Sequence, residues 1–358
     1  MMSPRRKRVL VVDDSALIRR VMSLILERHP GLEVVGTATD PYDAREKIKA
    51  LAPDVLTLDV EMPRMDGLTF LGKLQKAHPL PVVMVSSLTA KGTATALDAL
   101  ALGAVDVIGK PEVDPLQGLE VMGAEIAEAV YAAAQAARPG RPVPQPAALP
   151  PPQAPARLVP GRHLIAIGSS TGGTEALREV FQALPTGLPP ITVVQHMLPG
   201  FMEAYAARLD RLCAPRVKLA EDAEPLQVGT IYFAPSGCHL RVERQSSGLA
   251  ARLMDGPPVS RHRPSANVLF ESVAETCRSK ALGIILTGMG DDGAEGLFQM
   301  REAGAHTLGQ DEASSVVYGM PKMAWLRGAV VQQVPLASLA HHMLAWSTES
   351  RLCSQDTP

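Results

Sequence analysis

The sequence predicts an α/β protein built as two doubly wound parallel-sheet domains. Three observations carry this reading. Short β-rich apolar runs alternate with amphipathic helical stretches from Val9 to Ala137, a proline-rich segment interrupts them, and the alternation resumes from His163. Strict strand–helix alternation implies parallel strands joined by crossover helices that cover both faces of a sheet. The 358 residues suffice for two cores, because domains run to about 100–200 residues.

In the first half, strands are expected at Val9–Val12, Val34–Thr37, Val55–Leu58, Val82–Ser86 and Val105–Ile108. Helical patterns fill the gaps at Ala16–Arg28, Pro41–Leu51, Gly67–Ala77 and Thr93–Ala101, and Gly118–Ala137 reads as an alanine-rich closing helix. Arg138–Gly161 carries prolines at 139, 142, 144, 146, 150, 151, 152, 155 and 160 with few large apolar residues. Such a segment cannot bury a core and is expected to be a semi-extended tether.

In the second half, strands are expected at Leu164–Gly168, Ile191–Gln195, Thr230–Ala234, Leu282–Thr287 and Ala329–Gln333, with a hairpin around Leu240–Glu243 and Ala250–Leu253. Helices are expected at Glu175–Leu184, Phe201–Leu212, Ser265–Thr276, Ala294–Ala303 and Leu336–Trp346. The expected domains are therefore 1–137 and 162–347, with a linker at 138–161 and a tail at 348–358.

Composition narrows the function classes. A net charge of -2 gives no global reason to expect nucleic-acid binding, and Arg5-Arg6-Lys7-Arg8 reads as a solvated flank of the first strand. Val9–Val12 is too short for a signal-peptide core, and no stretch approaches the ~20 apolar residues of a membrane span. The four cysteines are scattered without a CxxC pair and read as reduced thiols. A cytoplasmic protein without membrane insertion is expected.

Two residue clusters carry chemistry. In the first, Asp13 and Asp14 close one strand, Asp59 another and Ser86 a third, and Lys110 follows a fourth. A parallel sheet gathers these positions at its carboxyl edge, where open α/β folds bind ligands. Three neighbouring carboxylates repel one another unless a cation relieves them, and hard oxygen ligands with open positions suit Mg²⁺. Asp59 is then placed to attack a phosphoryl donor, with Ser86 and Lys110 holding the phosphoryl oxygens.

This set, with Lys110-Pro111, resembles the receiver domain of two-component response regulators over residues 8–130. The resemblance implies a flavodoxin-like fold, Asp59 as phospho-acceptor, Asp13, Asp14 and Asp59 around Mg²⁺, and Ser86 and Lys110 as switch residues. The aromatic that many receivers carry three residues before the lysine is Val107 here.

In the second cluster, Gly168-Ser169-Ser170-Thr171-Gly172 satisfies G-x-S-x-G between a strand and a helix, which lifts Ser170 to a helix N-terminus. Backbone N–H groups near Thr171 and Gly172 would face a developing oxyanion. His196 follows the strand Ile191–Gln195, and Asp292 follows Leu282–Thr287 in a glycine-rich turn. A serine nucleophile needs a base, and the base needs a carboxylate to fix its tautomer. The order Ser…His…Asp departs from that of α/β-hydrolases, and the missing G-x-G-x-x-G argues against dinucleotide binding.

Residues 163–346 resemble the catalytic domain of the chemotaxis protein-glutamate methylesterases through Gly168-Ser-Ser-Thr-Gly-Gly173, Gln195-His-Met197, Gly256-Pro-Pro-Val-Ser-Arg-His-Arg-Pro264 and Leu286-Thr-Gly-Met-Gly-Asp-Asp-Gly293. The resemblance implies a Rossmann-like domain in which Ser170 is nucleophile, His196 general base and Asp292 its orienting carboxylate. Thr171, Gly172 and Met289 would form the oxyanion and substrate region, and the choice of Asp292 over Asp291 rests on this likeness.

It further implies a phosphorylation-activated enzyme that demethylates glutamate esters and deamidates glutamines on chemoreceptors, without a cofactor for the ester chemistry. A chemotaxis histidine kinase would donate the phosphoryl group, and the unphosphorylated receiver would restrict access to Ser170. A monomer is expected, and the basic loop at Arg261 and Arg263 reads either as a solvated turn paired with nearby acids or as a surface that steers an acidic receptor helix. Two rival classes stand beside this one: a non-enzymatic response regulator whose second half binds a partner, and a hydrolase of small esters.

Overall fold

The computed structural model describes residues 5–86, 90–110, 123–136, 164–197 and 199–349. The expected tether, the Pro111 position, the start of the closing helix and the tail from Ser350 onward lie outside these residues, whereas Thr348 and Glu349 of the expected tail belong to the last helix. The chain divides into two compact units between Arg141 and Pro142.

The first unit is a five-stranded parallel sheet. In chain order its elements are β1 (Lys7–Val12), α1 (Ala16–Glu27), β2 (Leu32–Ala38), α2 (Pro41–Leu51), β3 (Val55–Asp59), α3 (Gly67–Ala77), β4 (Val82–Ser86), α4 (Ala90–Ala101), β5 (Asp106–Gly109) and α5 (Gly123–Gln135). The strands run in the order β2-β1-β3-β4-β5, so the winding reverses at β1 and β3 and opens a crevice at their carboxyl ends. Val9–Val12 are fully buried, as a strand covered on both faces requires.

Helix starts fix the loops at that edge. Ser15 caps α1, Asp40 caps α2 with Pro41 behind it, and Asp66 caps α3 by accepting from the Thr69 N–H at 2.7 Å. Gly67 is required sterically: a Cβ there would stand 2.0 Å from the Asp59 carbonyl oxygen. The helix therefore begins directly against the strand that presents Asp59.

The second unit has a seven-stranded parallel sheet ordered β14-β13-β12-β6-β7-β9-β8 and a separate antiparallel hairpin, β10–β11. Its elements are β6 (Leu164–Ser169), α6 (Gly173–Gln182), β7 (Ile191–Gln195), α7 (Met202–Leu212), β8 (Arg216–Leu219), β9 (Thr230–Phe233), β10 (His239–Gln245) and β11 (Gly248–Met254). There follow α8 (Ala266–Cys277), a short 3₁₀ turn, β12 (Ala281–Ile285), α9 (Ala294–Glu302), β13 (His306–Gln310), α10 (Met320–Leu326), β14 (Gln332–Val334) and α11 (Leu336–Glu349). The first strand, β6, lies between β7 and β12, and this switch point sets three loops side by side.

Helix α8 ties the hairpin to the sheet. Leu269, Phe270 and Val273 share a core with Leu240, Val242, Leu249 and Ala251 of the hairpin and with Ile285 of β12. The Val242 N–H donates to Ser272 Oγ at 2.9 Å, and Thr276 Oγ1 donates to the Val242 carbonyl at 3.0 Å, so the helix satisfies part of β10's backbone.

The structure corrects several expectations. Strands β8 and β13 and helix α10 were not expected. Strand β8 is a four-residue edge strand whose first residue is exposed. Strand β13 reads His-Thr-Leu-Gly-Gln, too polar for an apolar-run criterion, yet from Thr307 to Gln310 it is buried. Its polar side chains are satisfied internally: Gln310 Oε1 accepts from the Thr287 N–H at 2.8 Å, and Thr307 Oγ1 donates to the Ala329 carbonyl at 2.7 Å. His306 opens this strand, and the strand expected at Ala329–Gln333 is Gln332–Val334.

Helices α8 and α9 meet through Gly296, where a Cβ would lie 2.6 Å from the Asn267 carbonyl oxygen and 2.8 Å from Phe270 Cβ. Gly296→Ala is therefore expected to cost about 1–3 kcal/mol through overpacking. Thermal unfolding of the full chain should show the second unit melting lower by a few degrees, at roughly 2–4 °C per kcal/mol.

Candidate active site

Ser170 leaves β6 at the switch point. Its N–H donates to the Thr287 carbonyl at 3.0 Å, and its own carbonyl accepts from the Gly173 N–H at 2.7 Å and Gln195 Nε2 at 3.0 Å. Gln195 is buried and also accepts from Ser169 Oγ at 2.7 Å while donating to the His196 carbonyl at 2.8 Å. One amide thus locks the ends of β6 and β7 together. Glycine is needed at 173, where a Cβ would meet Gln195 Oε1 at 2.2 Å, and Gly172 turns at φ +77° against Val316.

His196 follows β7, its N–H donating to the Ser169 carbonyl at 3.0 Å. Its Nε2 lies 2.8 Å from Asp292 Oδ2. The Asp292 carboxylate also accepts from Ser265 Oγ at 2.6 Å, from the Ala266 N–H at 2.7 Å and from the Asn267 N–H at 3.1 Å. Ser265 occupies the N-cap of α8 without a side-chain bond to the helix, so Asp292 supplies the cap from another segment.

Burial alone would raise the Asp292 carboxyl, but the hydrogen bond and charge of His196, then Ser265 and Ala266, hold it below its ordinary value. An ionised carboxylate with these partners accepts, so Nε2 carries the proton and Nδ1 is the basic nitrogen. Among the described residues His196 Nδ1 is buried without a hydrogen-bond partner, and Ser170 Oγ is not bonded to it. Such pairs commonly tighten only when substrate is bound.

The residues expected around the nucleophile are neighbours. The Thr171 carbonyl accepts from Thr287 Oγ1 at 3.0 Å, and a Cβ at Gly288 would touch Ser170 Cβ at 2.7 Å, which puts the segment leading to Met289 beside the serine. The adjacent aspartates differ sharply, since Asp292 is 1% exposed whereas Asp291 faces solvent.

Three residues at this site were missed in the sequence. His262 lies flat on His196, with ring centroids 3.7 Å apart and an interplanar angle of 11°. Burial, then the neighbouring His196, pushes the His262 imidazolium down to about 4. His239 accepts from the Ser265 N–H through Nδ1 at 3.3 Å and bonds the Pro257 carbonyl through Nε2 at 3.0 Å. Gln195 is the third. His262 sat in a segment singled out for its arginines, and His239 beside a hairpin, so neither spacing placed a ring at the sheet edge. Arg261 and Arg263 are exposed, and Arg263 donates to the Gly256 carbonyl at 2.8 Å.

The first unit brings its acidic set together at the carboxyl edge. Carboxylate oxygens of Asp13, Asp14 and Asp59 lie within 4.8 Å of one another, Asp13 and Asp59 buried and Asp14 exposed. Lys110 Nζ lies 2.7 Å from Asp59 Oδ2 and 3.3 Å from Asp13 Oδ2. Ser86 ends β4 and is buried.

Burial is the main cause that pushes Asp59 up to about 6, and the Asp13 charge adds to it against the pull of Lys110. Burial likewise raises Asp13. Among the described residues one ammonium faces this negative charge without balancing it, and Asp13 Oδ2 has no hydrogen-bond partner. An all-oxygen donor set with uncompensated charge fits a hard divalent cation such as Mg²⁺.

The depressed Asp292 value has a signed consequence for stability. Its contribution is full above the ordinary carboxylate range and is lost as pH falls through the lower folded value. Asp292→Asn is expected to cost about 1.5–3 kcal/mol at neutral pH, the range for charged hydrogen bonds. Urea unfolding of the full chain should show the gap between variant and wild type narrowing below the ordinary carboxylate range.

Residues 165–343 match the family model described as CheB methylesterase, and residues 9–119 match the response regulator receiver domain. The chain is 50% identical over 351 residues to protein-glutamate methylesterase/protein-glutamine glutaminase 1 of Xanthomonas campestris pv. campestris, covering 96% of this chain and 98% of that relative. It is 49% identical over 338 residues to the like-named protein of Escherichia coli, covering 94% of this chain and 96% of that one. The crystal structure of the Thermotoga maritima CheB methylesterase catalytic domain aligns with a TM-score of 0.51 at 35% identity, over 52% of this chain and all of that one. The chain belongs to the CheB methylesterase family, with a response regulator receiver domain preceding the methylesterase domain.

Proposed function

We propose that this chain is a phosphorylation-activated serine hydrolase that demethylates glutamate methyl esters on chemoreceptors and deamidates receptor glutamines to glutamate. The observation that carries the reading is the His196–Asp292 pair, held 2.8 Å apart beside Ser170 with Nδ1 of the imidazole unengaged. In it Ser170 is the nucleophile, His196 the general base and then acid, and Asp292 the carboxylate that sets the tautomer.

The chemistry follows from those roles. His196 Nδ1 takes the Ser170 hydroxyl proton as Oγ attacks the side-chain carbonyl, and the oxyanion develops against N–H groups near Thr171, Gly172 and Met289. The C–O bond to the methoxy group breaks, and the proton on Nδ1 leaves with it as methanol. Water, deprotonated by the same nitrogen, then cleaves the acyl-enzyme to glutamate and regenerates Ser170. A glutamine amide follows the same path and releases ammonia.

The receiver domain supplies control. Asp13, Asp14 and Asp59 would hold Mg²⁺, which neutralises charge on the incoming phosphoryl group. Asp59 accepts that group from a histidine kinase, Lys110 and Ser86 bind its oxygens, and the modified receiver favours the active form of the enzyme. The receiver would comprise residues 1–137 and the catalytic domain 162–347, joined by the 138–161 linker and followed by a 348–358 tail. A cytoplasmic monomer is proposed; among the described residues no helix is long and apolar enough to cross a membrane.

Methanol release from methylated receptor membranes tests the two halves together. Wild type should release methanol faster with Mg²⁺ and a small phosphoryl donor, and Ser170→Ala should release none. Persistent release by Ser170→Ala would overturn the nucleophile. Asp292→Asn should fall by several orders of magnitude, on the order of 10⁴ in protease precedent. Asp59→Asn should keep basal release and lose its stimulation; stimulation that survives would remove Asp59 as acceptor.

A further inference from the structure

His196 is anchored at one edge by a single side-chain hydrogen bond, from Nε2 to Asp292. A ring held at one point can still swing about that bond, which would carry Nδ1 away from Ser170. The ring of His262 covers one face of His196, with centroids 3.7 Å apart and the planes nearly parallel.

The segment that presents His262 is built tightly. Val259 and His262 exchange backbone hydrogen bonds of 3.0 and 2.9 Å around Ser260 at φ +49° and Arg261 at φ +69°. Both central residues are left-handed, as in the primed two-residue turns. Ser260 Oγ accepts from Asn267 Nδ2 at 3.1 Å, while the Asn267 N–H donates to Asp292. His239 holds the Pro257 carbonyl at the other end and accepts from the N–H of Ser265, itself bound to Asp292. The edge and the face of His196 are therefore both referenced to the N-terminus of α8.

We propose that His262 is a positioning residue, whose flat ring holds His196 in the one orientation that offers Nε2 to Asp292 and Nδ1 to Ser170. The inference rests on the reading of Ser170 as nucleophile and His196 as base. The ring serves as a neutral surface: burial and His196 disfavour its protonation, and a neutral aromatic face also accommodates His196 when it takes up the serine proton. The requirement is for the face and not for the ring nitrogens, so phenylalanine should substitute and alanine should not.

The test is the rate at which a serine-directed fluorophosphonate labels Ser170 in the full-length protein, located by mass spectrometry of the labelled peptide. His262→Ala should label at least about tenfold more slowly than wild type, because small displacements of a catalytic group carry losses of that order. His262→Phe should stay within about threefold of wild type. His262→Leu, which fills the volume without a flat face, should behave like alanine and serves if the alanine variant does not fold. Alanine and leucine variants that label at the wild-type rate would overturn the proposal. So would a phenylalanine variant that melts like wild type and labels as slowly as alanine, since the nitrogens would then be what matters. A wild type that never labels at Ser170 would remove the nucleophile assignment, and this inference with it.

Discussion

Four donors converge on the Asp292 carboxylate: His196 Nε2, Ser265 Oγ and the N–H groups of Ala266 and Asn267. This one group joins β7, the N-terminus of α8 and the turn after β12, so it links the sheet to the helix that carries the hairpin. Its ionised state is what the arrangement selects, because every neighbour donates. That fixes the proton on Nε2 and leaves Nδ1 as the basic nitrogen. The tight contact at Gly296, the Gln195 clamp and the turn at Ser260-Arg261 all serve to keep this point where β6 delivers Ser170.

The two units use the same edge of a parallel sheet for opposite electrostatic purposes. Asp292 is buried yet surrounded by donors, and its carboxyl sits below the ordinary range. Asp59 is as buried, but among the described residues it faces another carboxylate and one lysine, and it is pushed up to about 6. A carboxylate satisfied by the protein orients a base. A carboxylate left with surplus charge suits a hard cation, which is the basis of the phospho-acceptor role proposed for Asp59. Burial is common to both, and the difference lies in how many donors the surrounding loops supply.

Much of this was legible in the sequence. Apolar runs located strands such as Val9–Val12 and Ile191–Gln195 because central parallel strands are buried on both faces. Residues directly after those strands, Asp13, Asp59, Ser170 and His196, fell at the carboxyl edges because parallel winding leaves them nowhere else. Strand β13 escaped because its burial is sustained by the hydrogen bond that Thr307 donates and the one that Gln310 accepts, which leave no hydropathy signal. His262 escaped for a related reason: it reaches the site through an irregular segment with two left-handed residues, and no periodicity encodes that path. Spacing alone did not separate Asp291 from Asp292; the family likeness chose Asp292, and the fold buries Asp292 and exposes Asp291.

The orientation of His196 is the claim on which the rest depends, and nitrogen NMR of its ring in the full-length protein tests it most directly. At neutral pH, Nε2 should bear the proton, with a low-field resonance that disappears in Asp292→Asn, and Nδ1 should have the shift of an unprotonated nitrogen. A proton found on Nδ1 in the wild type would contradict the account, because the basic nitrogen would then point at Asp292 and Ser170 would have no base.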